Sequence, residues 1–460
     1  MAKKESAPSR AERLKRANAA ATRRDGVVFL PASELTNVHE ERLDTGTYSL
    51  NKGTNGGYPC GKDILLAGGP GSGKDLTINL AIAACQRNKG NDATIAIIYT
   101  EGEWDKGFAR LVGCKVSYSK EEIEQLEEKR GMKFSRQAKA AMRKEGVGFI
   151  GTYTANNAAA ALDMMMDFAR EGIFDIVVLN SIDGLIVPVA EEAVDEGSIA
   201  DATKGRGGEK RAAMLSDFFR HKNNIMRRTY KISQGKKTIE TPRKTVFFYI
   251  SQFRMAHINK YVTTDKHISG GNAVKFYAGL ILEISRTRGE ETYMGVKKAN
   301  SPDHIETSHV MNYHFSKGKY GCADGISIEF RYYKRDHYKN GVLVARGGTI
   351  DESAAIRASL AKEKFLTKRG TRAHILSLPN KEPIELPGAR PLVDRWLMEN
   401  PDIKLLAMDA LNERLLQRVA NQEEEGCERS EEEEEKVPEV RKESSRGAGK
   451  NDKKKRVDAN

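Results

Sequence analysis

The run Ile64-Leu65-Leu66-Ala67-Gly68-Gly69-Pro70-Gly71-Ser72-Gly73-Lys74-Asp75 constrains the fold more than any other stretch. An apolar strand-like segment feeds a glycine-rich turn and a lysine. Leu76 to Cys85 then carries apolar residues at helical spacing. Strand, loop and helix in that order make a phosphate-binding loop. Glycines let backbone N–H groups converge on phosphate oxygens without Cβ clashes. The helix N-terminus adds partial positive charge, and a lysine at position 74 reaches the β- and γ-phosphates. The candidate nucleotide-binding residues are therefore Gly68, Gly69, Pro70, Gly71, Ser72, Gly73, Lys74 and Asp75. The last departs from the pattern, which places Ser or Thr after the lysine to ligate Mg²⁺.

At 460 residues the chain has room for two or three domains. Its net charge of +12 points to an acidic partner such as nucleic acid, while only 7% aromatic residues argues against wholesale base stacking. Five scattered cysteines without a Cys-x-x-Cys pair predict reduced thiols in a cytosol-like compartment and no zinc site. No signal-peptide core or membrane-length apolar run is visible.

Residues 1–43 read as a basic arm with a helix over Ala11 to Arg24. After the loop helix, Thr94 to Thr100 is a β-branched run ending in Glu101, a carboxylate placed to orient a water on a γ-phosphate. Residues 115–145 are charged and helical without an evident buried face, so they read as a surface insertion. Ala155 to Arg170 predicts an amphipathic helix, and Asp175 to Ser181 a buried parallel strand ending at Asn180, where P-loop enzymes carry a metal-holding Asp. Glu191 to Gly208 reads as a long loop, Glu209 to Asn224 as a helix, and 225–244 as a second, basic insertion. Thr245 to Ile250 is another buried strand, followed by Ser251-Gln252-Phe253-Arg254. Further β-patterned runs reach about residue 334. Helical signals from 345 to 420 mark a small separate domain. Residues 421–460, acidic and then basic, read as a disordered tail.

In this order the motifs resemble the RecA family of DNA recombinases, from about Leu43 to Leu416. Leu43 to Asn51 is similar to the family's opening segment. Glu101, with Asp105 and Phe108 through Gly113, resembles the catalytic-glutamate stretch, and Ser251 to Met255 the strand end whose Gln senses the γ-phosphate. Gly270-Gly271-Asn272-Ala273-Val274-Lys275-Phe276-Tyr277 resembles the segment closing the second DNA loop. Lys317-Gly318-Lys319 is similar to the Lys-x-Lys pair that reaches a neighbouring subunit's ATP, and Arg395 to Pro401 to a C-terminal domain helix. The two insertions, with the loose match outside the motifs, look more like divergent phage recombinases of the UvsX type than cellular ones.

The resemblance implies an α/β fold: a RecA-like P-loop NTPase core over 44–340 with a mainly parallel twisted sheet, an N-terminal helical arm and a small α/β C-terminal domain. It implies a DNA-dependent ATPase using ATP and Mg²⁺, forming a helical homo-oligomeric filament on single-stranded DNA and pairing it with double-stranded DNA. Single-strand-binding and loader proteins would be partners, without a membrane, in the cytoplasm (the host's, if phage-encoded). Catalytic roles fall on Lys74, Glu101, Gln252, Lys317 and Lys319, and nucleotide contacts also on Asp105 and Phe108. DNA contacts fall on Arg220, Arg254, Lys260, Tyr261, Gly270 and Gly271. Asp75 and Asn180 break the pattern at both metal positions, which reads as a carboxylate moved rather than lost. The alternatives are a non-hydrolysing accessory paralogue that coats single-stranded DNA and a ring-forming helicase-like ATPase.

Overall fold

Apolar runs that must be covered on both faces need helices on both sides of the sheet, and the connections between them force parallel strands. The computed structural model describes residues 40–155, 157–186, 207–234, 237–256, 265–269, 271–287, 307–339, 342–370 and 373–435. Among these, a ten-stranded sheet is the centre. Strands β1 (Asp63–Gly68), β2 (Thr94–Tyr99), β3 (Phe149–Thr154), β4 (Ile176–Asn180) and β5 (Val246–Ala256) come first along the chain, then β6 (Asp265–Ile268) and β7 (Leu280–Thr287). The parallel part has the order β7-β1-β5-β4-β2-β3. Beyond β7 the sheet continues antiparallel through β8 (Ser308–Gly318), β9 (Ser327–Tyr333) and β10 (Ile350–Asp351). The fold is thus α/β with a large, mostly parallel sheet, as the sequence predicts.

Alternation along each strand sorts side chains onto two cores. Ile64, Leu66, Ile95, Ile97, Val178 and Phe248 face one way, against a helix over Lys74–Lys89. Leu65, Ala67, Ile98, Val177, Leu179 and Tyr249 face the other, against helices over Ala158–Glu171 and Gly207–Met226. A third cluster joins Ile356, Leu360, Leu376, Leu386, Val393, Leu397 and Leu411, with Tyr48 from the short helix Tyr48–Gly53. Glu352 fastens that helix by accepting from the backbone N–H of Tyr48 and Ser49 at 2.9 and 2.8 Å.

The first insertion is helical, as its pattern predicts, but it has a buried face that the pattern does not show. A capping box of Ser119 and Glu122 starts a helix over Lys120–Arg130, and Ser135 caps another over Arg136–Lys144. Ile123 is buried, giving the first of these helices an inward face. Buried Gln86 ties both roots of the insertion, accepting from Lys115 N–H and donating to the carbonyls of Lys115 and Val147. The second insertion contains a hairpin pairing Tyr230–Gln234 with Lys237–Thr241.

Spatial contacts divide the chain after Leu415. From Leu416 on, the described residues are the remainder of a helix over Pro401–Glu435. That helix runs through much of the segment predicted as a tail without order. Glu, Gln and Arg are good helix formers, so a helix there needs no core of its own. The predicted Ala11 to Arg24 helix, most of the Glu191 to Gly208 loop, and residues 436–460 lie outside the described residues.

One buried ion pair anchors the second core to the root of β1. Lys222, 1% exposed, donates to Asp63 and lies 3.4 Å from Tyr249 Oη, with its Nζ 4.4 Å from the Phe247 ring centre. Burial pulls the Lys222 ammonium below its usual range, against the attraction of Asp63. Removing one partner strands the other charge in the core. Lys222→Met is expected to cost ~3–5 kcal/mol. Adding Asp63→Leu should recover most of that, measured by urea denaturation of both variants.

Candidate functional site

The carboxyl ends of β1, β4 and β2 lie beside Gln252, where β5 runs on towards Ala256, and a cleft of ≈ 370 Å³ opens above them. Open α/β sheets bind ligands at this edge. Pro70, Gly71, Lys74, Asp75, Glu101, Asp105, Phe108, Asn180 and Gln252 all line it. Residues far apart in sequence, each chosen for its chemistry, are thus brought to one place.

The loop after β1 has the backbone that phosphate binding requires. Gly71 and Gly73 are left-handed, at φ +65 and +100. A Cβ on Gly69 or Gly71 would meet no protein atom within 4 Å, so both face open space. Lys74 Nζ lies inside the loop, donating to the carbonyls of Gly68 and Gly69 at 2.9 and 2.8 Å. Burial lowers the Lys74 ammonium, opposed by Asp75, Asp183 and Glu101. Ser72 Oγ, by contrast, is buried against Gly68 without a hydrogen-bond partner among the described residues.

Across the cleft, Asn180 Nδ2 donates to Asp75 Oδ1 at 3.1 Å. The two departures from the motif therefore touch. Water reaches Asp75, but crowding by protein pushes its carboxyl up from 3.8; Lys74 and the Asn180 hydrogen bond oppose that rise. An aspartate at 180 would set two carboxylates about 3 Å apart, a pairing that does not tolerate both charges. Asparagine at 180 is thus the neutral partner that an aspartate at 75 requires.

The donor set fits a hard cation. One carboxylate and one amide oxygen suit Mg²⁺, which keeps several waters and takes further oxygens from substrate phosphates. Among the described residues no group of three or more His, Cys, Asp or Glu forms a closed protein cage. The loop likewise fits a nucleotide triphosphate, with Gly69 and Gly71 facing open space and one lysine inside.

Gln252 Nε2 approaches Glu101 Oε2 at 3.4 Å, linking the two predicted catalytic groups. Three residues that sequence reading passes over or discounts hold them. Asp183 Oδ2 accepts from Gln252 N–H at 2.7 Å and from the Ser251 hydroxyl at 3.3 Å. It thus braces β5 beside the cleft. Thr100 Oγ1 donates to Ser181 O at 2.6 Å and accepts from Ser181 N–H at 2.9 Å, lacing β2 to the cis Asn180–Ser181 peptide. Gly184 leaves room for Glu101, since a Cβ there would lie 2.4 Å from Glu101 Cγ. Asp105 caps the helix over Lys106–Val112 by accepting from Phe108 N–H, and Trp104 Nε1 donates to Asn79 Oδ1 at 3.0 Å.

Lys317 and Lys319 do not line the cleft. Lys317 Nζ instead donates to the carbonyls of Lys275 and Phe276 at 2.6 and 2.9 Å, at the C-terminal end of the helix over Gly271–Tyr277. Lys319 is exposed. Arg220 is exposed and pairs with Asp217 at 3.2 Å. Gly271 packs near Ala212, where an added Cβ would come within 3.1 Å. Arg254 lies on β5, paired in register with His267 of β6, so this predicted loop is rooted in a hairpin. Lys260, Tyr261 and Gly270 lie outside the described residues.

No family profile matches the chain. Over 231 residues it is 28% identical to Protein RecA of Francisella tularensis subsp. novicida, a match covering 50% of this chain and 48% of that protein. The chain thus spans about half the length of the curated relative it matches. That distant relationship to RecA agrees with the parallel sheet and its phosphate loop, and the core is RecA-like. No helix among the described residues is long and apolar enough to cross a membrane.

Gly184→Ala is expected to lower stability by ~1–3 kcal/mol through overpacking and to push the Glu101 side chain aside. Thermal melting reads the first effect, and nucleotide titration should show affinity retained, since Gly184 does not line the cleft.

Proposed function

We propose that this chain is an ATP-dependent homologous recombinase that forms a helical filament on single-stranded DNA and exchanges strands with a homologous duplex. The observation that carries the reading is the convergence of Lys74, Glu101, Asn180 and Gln252, on or just beyond four neighbouring strands, onto one cleft. The distant match to RecA supports it. A divergent phage-type enzyme of the UvsX kind is the form of recombinase proposed.

Lys74 would leave the Gly68 and Gly69 carbonyls and pair with the β- and γ-phosphates. Glu101 would orient the attacking water, and Gln252, within reach of Glu101, would report on the γ-phosphate to the hairpin of β5 and β6. Asp75 and Asn180 would hold Mg²⁺, which when bound supplies charge neutralisation for the phosphates. Lys317 and Lys319, outside this chain's own cleft, would serve the nucleotide of a neighbouring subunit. The proposed DNA path runs along the second loop, with Arg254, Lys260, Tyr261, Gly270 and Gly271, and with Arg220 beside it. Basic loops of this kind follow a phosphate backbone without reading sequence.

A second reading has one observation in its favour. The Asp75–Asn180 pair alters both metal positions, which suits a filament protein that binds ATP and does not turn it over. Steady-state hydrolysis with Mg²⁺ separates the two. The recombinase reading expects turnover stimulated by single-stranded DNA and reduced by about a hundredfold or more in Lys74→Ala, the scale of losing a key charge-stabilising donor. ATP-dependent DNA binding without turnover would favour the second reading. Closed rings in place of filaments by negative-stain microscopy would contradict both.

A further inference from the structure

We infer that Asp75 makes nucleotide binding itself depend on a divalent cation, so that the loop rejects a bare triphosphate and accepts the metal complex. This deepens the nucleotide-site reading above and rests on it.

The charges lining the cleft carry the argument. Lys74 is the single cationic side chain there, against the carboxylates of Asp75, Glu101, Glu103 and Asp105. One positive and four negative groups leave the lining at a formal charge of −3. A phosphate loop with a hydroxyl after its lysine would have one negative charge fewer, at the position nearest the phosphates. Asn180 Nδ2 donates to Asp75 Oδ1 at 3.1 Å and so aims the carboxylate across the cleft towards β4. The lysine that would offset it is itself drawn into the loop by two carbonyls. A polyanion entering without metal therefore meets a carboxylate beside Lys74, the one cationic side chain among the described residues lining the cleft. With a cation present, the same carboxylate becomes a ligand, and repulsion turns into attraction.

The inference sets this chain apart from phosphate loops in which metal assists a nucleotide already bound. It also gives Asn180 a positioning role: the amide aims Asp75 in both states and adds no charge.

The test is binding of a fluorescent ATP analogue to the full chain, titrated in Mg²⁺ and again in EDTA. Wild type should bind in Mg²⁺ and lose about a hundredfold or more of its affinity in EDTA. Asp75→Thr and the isosteric Asp75→Asn should both bind the metal-free analogue tighter than wild type, by about tenfold or more, the scale of one unit charge removed at close range. Melting curves confirm that each variant is folded, and two variants guard against failure of one. Equal wild-type affinity in Mg²⁺ and EDTA, or no gain in metal-free binding by either folded variant, overturns the inference while leaving the nucleotide site standing. Absence of wild-type binding even in Mg²⁺ overturns that reading, and the inference with it.

Discussion

The parallel register of four strands is the constraint on which the site depends. β1 pairs with β5 from Asp63↔Phe247 to Gly68↔Gln252, and β5 pairs with β4 from Ile176↔Val246 to Leu179↔Tyr249. β2 then brings Tyr99 opposite Asn180. Because these strands run the same way, their carboxyl ends arrive together, and with them the phosphate loop, Glu101, Asn180 and Gln252. An antiparallel neighbour at any of these positions would send its terminal residue to the other edge of the sheet. The buried pair of Lys222 and Asp63 fixes the opposite end of β1, so the strand under the loop is held at both ends.

Within that frame the site is governed by charge. Four carboxylates and one lysine face the cleft, and the only direct contact among the metal-position residues is the hydrogen bond from Asn180 to Asp75. Neither residue makes sense alone. Aspartate at 75 beside aspartate at 180 would place like charges at hydrogen-bond distance. A hydroxyl at 75 beside asparagine at 180 would leave no anionic ligand at those two positions. On the proposed reading, the pair keeps one anionic metal ligand in a different place, next to Lys74.

Much of this was legible in the sequence because the residues concerned carry local signatures. Gly71 and Gly73 are demanded by positive φ, and a glycine-rich turn between an apolar run and a helix is visible without a structure. Glu101, Asn180 and Gln252 could be found because each ends an apolar run. Asp183, Thr100 and Gly184 could not. Their roles lie in who their neighbours are across the sheet, and one-residue signals such as a glycine beyond a strand end do not reveal that Glu101 lies against it. The inward face and the anchoring of the first insertion were hidden for the same reason: Ile123 is buried, and Gln86, within a helix and distant in sequence, holds both of the insertion's roots. The helix reaching Glu435 was missed because composition was weighed for core burial and not for helix propensity.

A double-mutant cycle across Asp75 and Asn180, measured on DNA-stimulated ATP turnover, tests the exchange most directly. Asp75→Thr removes the relocated carboxylate, and Asn180→Asp restores one at the other position. If the pair is a single relocated metal ligand, each single variant loses turnover and the double variant regains a large part of it, giving a strong coupling. Losses that simply add in the double variant would contradict the account, because they would show two independent defects where a single exchange is claimed.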